Sequence, residues 1–246
     1  MASDLAQPLG GLVALRERDE SAERLRRFVA DVSHELRTPV AAIRGYAELY
    51  RRGAADRPED LAKVLARIEA EAARVGRLVD DLLLLARIDQ HRPLARRMVD
   101  LSAVCSDAIS AARLVHPDRA WELDHGPTAV LGHPDRLRQI VDNLLANVAE
   151  HTPPGTPAHV RIGVEGDAAV LRVRDRGPGL RDADLGKVFE RFHGAGTGSG
   201  LGLAIVAAIA QAHGGSVAVC NPEGGGAEFT VRIPVVPAIH GRATQK

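Results

Sequence analysis

Two long stretches, residues 21–53 and 56–90, repeat apolar side chains at helical spacing, and no feature constrains the fold more. In the first, Leu25, Phe28, Val29, Val32, Leu36, Val40 and Ile43 form one stripe. In the second, Leu61, Val64, Leu65, Ile68, Ala72, Val75, Leu78, Val79, Leu82 and Leu85 recur close to a heptad. Gly53 is a natural helix stop. Asp56, Pro58 and Glu59 then supply a capping residue, a first-turn proline and an early acid. A helix from there to Gln90 spans roughly 50 Å. Two such helices joined by a short turn make a hairpin with too little surface to bury both stripes. Pairing two hairpins gives a four-helix bundle, so a homodimer is expected. The other outcome is that the stripes pack on the rest of the same chain.

Within "FVADVSHELRTPVAAIRGYAELYRRG" a histidine, His34, precedes a proline, Pro39, by five residues. At about 100° per residue, His34 lies some 200° from both Val32 and Leu36, so it points away from the stripe. Thr38, one turn on, shares that outward face. A lone helix histidine is ordinarily a solvated surface residue. The proline is less ordinary: inside a helix it removes a backbone bond and kinks the chain, costing about 3 kcal/mol.

Length bounds the rest: 246 residues make one or two domains. The formal net charge is zero, which argues against a nucleic-acid partner. Aromatic residues are 3%, so the core is aliphatic. Cys105 and Cys220 match no metal-ligand spacing and fit a reducing compartment. No purely apolar run, including residues 82–86, comes near the length needed to span a bilayer, and no signal peptide is visible. The segment is expected to be cytoplasmic and to make no membrane contact.

The pattern divides the chain into four parts. Residues 1–20 read as a linker or the frayed start of a helix, and residues 21–91 as the hairpin. "HRPLARR" breaks the periodicity and reads as a linker. Residues 98–236 mix short elements, and residues 237–246 are a tail. Helices are predicted over 101–115, 134–149 and 200–213. Strands are predicted over 121–123, 129–131, 216–219 and 228–233, with two more in 158–175 around a Gly166-Asp167 turn. That order predicts an α/β domain of helices on a mixed sheet.

Three stretches of this second region can carry chemistry. In "NLLANVAEHTPPGTP", Asn143 and Asn147 share a helix face, and neutral oxygens suit a magnesium ion held mostly by phosphate and water. In "DRGPGL", Asp175 leaves a strand into a turn with Gly177 and Gly179. A buried carboxylate there can accept from an exocyclic amine, while glycines let a ring approach the backbone. In "GTGSGLGLAIV", glycines lead into a helix, whose N-terminus can bind phosphate. Neither G-x-G-x-x-G nor G-x-x-x-x-G-K-[ST] is present. Each glycine cluster alone is ordinarily a tight turn; their order and placement together favour a nucleotide.

Over residues 21–236 the chain resembles the transmitter portion of bacterial sensor histidine kinases of two-component systems. "SHELRTP" resembles the H box, "NLLANVAEHTPPGTP" the N box, "DRGPGL" the G1 box, "VFERF" the F box and "GSGLGLAIV" the G2 box. The resemblance implies a dimeric histidine-phosphotransfer hairpin followed by an α/β sandwich ATP-binding domain of the gyrase/Hsp90/histidine kinase/MutL type. It implies His34 as phosphoacceptor, Glu35 as proton acceptor, and Thr38 as the residue that positions water for dephosphorylating a response-regulator receiver domain. Pro39 would let the helix bend. Asn147 would hold Mg²⁺ with Asn143 nearby, and Asp175 would bind the adenine amine. His151, Gly177, Gly179, Gly198, Gly200, Leu201 and Gly202 would complete the ATP site. A membrane-anchored parent protein, with this region on the cytoplasmic side, is also implied.

Two positions depart from the family pattern. Three residues after Asn147, where the family usually has lysine or arginine, stands Glu150. After the F box, "RFHGAGTGSG" offers His193 and glycines in place of an arginine. Both changes remove positive charge near a triphosphate. They favour one alternative reading, a catalytically weak dimeric scaffold that signals by conformation. A stand-alone ATPase of the same superfamily is disfavoured, since it has no use for His34.

Overall fold

The computed structural model describes residues 7–52, 58–89, 95–194 and 199–235. The chain divides into two compact units, Met1–Asp80 and Asp81–Lys246.

The first unit is helical. Helix α1 (Gln7–Arg51) runs unbroken through Pro39, and α2 (Pro58–Asp89) follows. The helical pattern therefore begins well before residue 21. Asp56, expected to cap α2, lies outside the described residues, as does Gly53. Of the apolar stripes, Val64 and Leu78 are buried, whereas Val29 and Val40 are each 54% exposed and Leu65 49%. Leu49 and Tyr50 are exposed too. One copy of the chain leaves much of this apolar surface uncovered.

The second unit continues from the last turns of α2 through β1 (Arg97–Asp100), α3 (Leu101–Val115), β2 (Trp121–His125), β3 (Ala129–Gly132) and α4 (Pro134–His151). After these come β4 (Ala158–Glu165), β5 (Ala168–Asp175), α5 (Asp182–Leu185), α6 (Gly202–Ala212), β6 (Ser216–Cys220) and β7 (Glu228–Pro234). Five strands form a mixed sheet in the order β2-β4-β5-β7-β6, parallel only between β2 and β4. Alternation sorts the two faces. Val160, Val173 and Phe229 lie side by side across β4, β5 and β7, as do Ile162, Leu171 and Val231, and all six are buried. Ile109 of α3, Leu137, Ile140 and Leu144 of α4, and Ile205 and Ile209 of α6 complete the aliphatic core. On the other face of the sheet Arg172 pairs with Glu165.

Strand β1, absent from the sequence reading, pairs antiparallel with β3 and sets buried Val99 opposite buried Val130. Asp100 then caps α3, its Oδ1 accepting from the backbone of Ser102 at 2.9 Å and Ala103 at 3.2 Å.

Candidate functional site

Two sets of residues stand out, one in each unit. On α1, His34 and Thr38 are exposed, Glu35 is half-buried and Pro39 is buried. The outward face read from the sequence is therefore present. Pro39 has no N–H to offer the Glu35 carbonyl, so the helix ladder loses a bond directly after the histidine. Ser33 turns its hydroxyl to its own helix, donating to the Val29 carbonyl at 2.7 Å.

In the second unit the site is built around Asp175, the last residue of β5, which is only 4% exposed. Its Oδ1 accepts from the backbone N–H of Gly177 at 2.8 Å and of Ala227 at 3.2 Å. Its own N–H donates to the Ala227 carbonyl at 3.0 Å. A buried carboxylate needs such donors, and both fall on one oxygen, which leaves Oδ2 available to a further donor. Gly177 has to be glycine, because a Cβ there would meet Thr152 Cγ2 at 2.6 Å. Gly226 brings the β6–β7 turn against the strand end so closely that a Cβ would lie 2.0 Å from the Asp175 carbonyl oxygen.

Arg119 braces the other side. Its Nη1 donates to Thr152 Oγ1 at 2.7 Å and to the Thr156 carbonyl at 2.6 Å. Its guanidinium lies 5.6 Å from the centroid of the Trp121 ring. Burial lowers the Arg119 pKa from its usual value, opposed by the Asp175 charge. Thr152, the cap of α4, thus ties that helix to Arg119 and fills the space beside Gly177.

Helices α4 and α6 meet through Asn143, whose Nδ2 donates to the Gly202 carbonyl at 3.1 Å. Asn147 is half-buried one turn further along, and Glu150 and His151 are exposed at the end of α4. Leu201 is fully buried, so its side chain anchors the start of α6 in the core and its backbone is what it can offer a ligand. Gly200 adopts φ +64°, and its carbonyl accepts from Phe192 N–H at 2.8 Å, drawing the two ends of the glycine-rich segment together. Gly198 lies outside the described residues. His193 is placed 3.3 Å from Asp184 through Nε2. A hydrogen bond from Arg181 holds the Asp184 carboxyl below its usual range.

Among the described residues no cluster of three or more His, Cys, Asp or Glu could hold a metal ion. A cation here would depend on neutral oxygens such as those of Asn143 and Asn147 and on ligand phosphates, a donor set that fits magnesium and not zinc. Arg119, Thr152, Asn221 and Ala227 were not singled out from the sequence. The only signals were the threonine five residues after the second asparagine and the glycine-rich "NPEGGGAEF", neither of which announces the bond from Arg119 to Thr152 or from Ala227 to Asp175.

Comparison with known proteins finds two family matches, one over the two long helices and one over most of the α/β sandwich. Residues 24–91 match the His Kinase A (phospho-acceptor) domain. Residues 132–237 match the histidine kinase-, DNA gyrase B- and HSP90-like ATPase family, which implies ATP binding. The probable sensor histidine kinase TcrY of Mycobacterium tuberculosis is 47% identical over 90% of this chain and 48% of its own length. The sensor histidine kinase TrcS of the same organism is 41% identical over 91% of this chain and 46% of its own. Among solved structures, the Acinetobacter baumannii histidine kinase AdeS matches with a TM-score of 0.65 at 28% identity, over 82% of this chain and 98% of that one. The mycobacterial sensor histidine kinase MprB matches at 33% identity and a TM-score of 0.53, over 56% of this chain and 97% of that one. The chain belongs to the sensor histidine kinases and carries their catalytic domains. It spans about half the length of the curated relatives it matches. Among the described residues no helix is long and apolar enough to cross a membrane.

Proposed function

We propose that this chain is an ATP-dependent protein-histidine kinase that phosphorylates itself on His34 and passes the phosphoryl group to an aspartate of a response-regulator receiver domain. The observation that carries the reading is the Asp175 carboxylate, buried with one oxygen committed to two backbone donors and the other left for a donor such as the adenine amine. In the phosphoryl step a His34 ring nitrogen attacks the γ-phosphorus, the bond to the ADP oxygen breaks, and Glu35 takes the imidazole proton. Exposure of His34 suits a group that two different partners must reach. Asn147, with Asn143 nearby, would hold Mg²⁺, which would neutralise charge on the phosphates.

The chain acts as a homodimer, since Val29, Val40 and Leu65 need a covering surface. The parent protein is membrane-anchored, with this region on the cytoplasmic side. Thr38 serves dephosphorylation of the regulator more than phosphorylation: Thr38→Ala keeps self-labelling within a few-fold, and an equal loss of both rates would refute that division. Incubation with γ-labelled ATP tests the central step. Acid-labile label on the chain supports the kinase; nucleotide binding with no label favours the conformational scaffold.

A further inference from the structure

The turn between β6 and β7 makes contacts that the kinase reading leaves unused. Asn221 opens that turn, and its side-chain amide pairs with the backbone of Leu180 at both ends. Leu180 N–H donates to Asn221 Oδ1 at 2.9 Å, and Asn221 Nδ2 donates to the Leu180 carbonyl at 2.7 Å. The side chain thus imitates one rung of a β-ladder across 41 residues of sequence. It does so where the Asp175–Leu180 loop leaves the strand. Gly179 has φ +76°, and a Cβ there would lie 3.0 Å from the Gly226 carbonyl oxygen and 3.1 Å from Asn221 Oδ1. The loop is therefore gripped at both ends by one turn: Ala227 N–H holds Asp175 Oδ1, and Asn221 holds Leu180. Arg174 steadies the turn, its Nη2 donating to the Glu223 carbonyl at 2.9 Å.

We propose that Asn221 is a positioning residue for base recognition, fixing the Asp175–Leu180 loop so that the Asp175 carboxylate meets an exocyclic amine. The inference rests on the reading of the second unit as an ATP site. Asn221 touches neither nucleotide nor phosphate in this account; it acts through the loop. Its contribution is therefore to the choice of base. Asn221 is exposed and lies outside the aliphatic core, so its replacement leaves the fold intact.

The test measures affinity for ATP and for inosine triphosphate, which carries a carbonyl in place of the amine, on the full chain and its variants. Asn221→Ala removes both bonds to Leu180 and is expected to weaken ATP about tenfold while moving inosine triphosphate less than about threefold. Asn221→Asp keeps the bond from Leu180 N–H, and its preference for ATP should fall between the two. The added charge of that variant repels both triphosphates alike and so cancels in the ratio. Equal weakening of both nucleotides in Asn221→Ala would show a merely structural role and overturn the proposal, as would an unchanged ratio with an unchanged melting temperature. A wild-type chain that binds no ATP overturns the ATP-site reading and this inference with it. Wild-type binding with no loss of base preference in either variant overturns the inference alone.

Discussion

The two units handle their functional groups in opposite ways. The helical unit presents His34 on an outward face and leaves apolar Val29 and Val40 half uncovered. The α/β unit buries Asp175 at the end of β5 and holds it with backbone donors from two loops. The phosphoacceptor role proposed for His34 requires it to meet two partners, which its exposure suits. A carboxylate that selects a base has to be rigid and desolvated, so burial suits it. The contrast also divides the source of stability: the α/β unit supplies its own core, whereas in the proposed dimer the partner would cover the exposed stripe of the helical unit.

The largest expected effect tests that division. Leu144→Ala, at a fully buried site on α4, should cost about 2–5 kcal/mol at any protein concentration, read from denaturant unfolding of the second unit. Val40→Ala should cost less, and its cost should appear as a weaker dimer in sedimentation at low concentration. A Val40 effect independent of concentration would break the contrast.

Next comes Asp175→Asn, which replaces the charged acceptor without changing its size. ATP affinity should fall roughly 10- to 100-fold by titration, with melting temperature little changed. An unchanged affinity would remove Asp175 from base recognition.

Glu150→Arg should act in the other direction. A like charge about 6 Å from a phosphate costs up to roughly 3 kcal/mol at an effective dielectric of 20, and solvent and salt cut that to about 1 kcal/mol. Arginine also adds attraction, so ATP should tighten roughly tenfold at low salt, less at high salt, and adenosine little. Unchanged ATP affinity at low salt would mean that the exposed carboxylate faces away from the phosphates.

The smallest effect concerns pH. His213 is buried, accepts the His133 N–H at Nε2 and pairs with the Ile209 carbonyl through Nδ1. Burial lowers its pKa from the usual value. The unfolded chain therefore takes up the proton first, so the contribution is full above the unfolded value of about 6.5 and is lost as pH falls below it. Melting of the second unit should weaken between pH 7 and 5, and His213→Leu, less stable at pH 7, should show a shallower slope. Equal slopes would exclude His213 as a source.

The legible part of the molecule is what repeats or stays contiguous. Helical periodicity over thirty or so residues survives in any single sequence, so α2 and the part of α1 after residue 20 were plain from Phe28, Val32, Val64 and Leu78. Asp175, Gly177 and Gly179 could be read because a strand end and its turn are adjacent in the chain. Strand β1 was missed because four residues are too few for alternation to declare itself, and its partner is β3, some thirty residues on. Arg119 reaches Thr152 across 33 residues, and Ala227 reaches Asp175 across 52. No local pattern encodes such contacts; the sheet order creates them. The exposure of Val29 and Val40 in one copy agrees with the expectation that a single hairpin cannot bury both stripes, although periodicity does not say which stripe residues stay uncovered.

The central claim is that His34 is where the phosphoryl group goes. Exposing wild type and His34→Gln to γ-labelled ATP, with ATP affinity and dimer mass measured on the same samples, tests it most directly. The account predicts acid-labile label in the wild type, none in the variant, and unchanged nucleotide binding and mass in both. Label that persists in His34→Gln and withstands acid would contradict it.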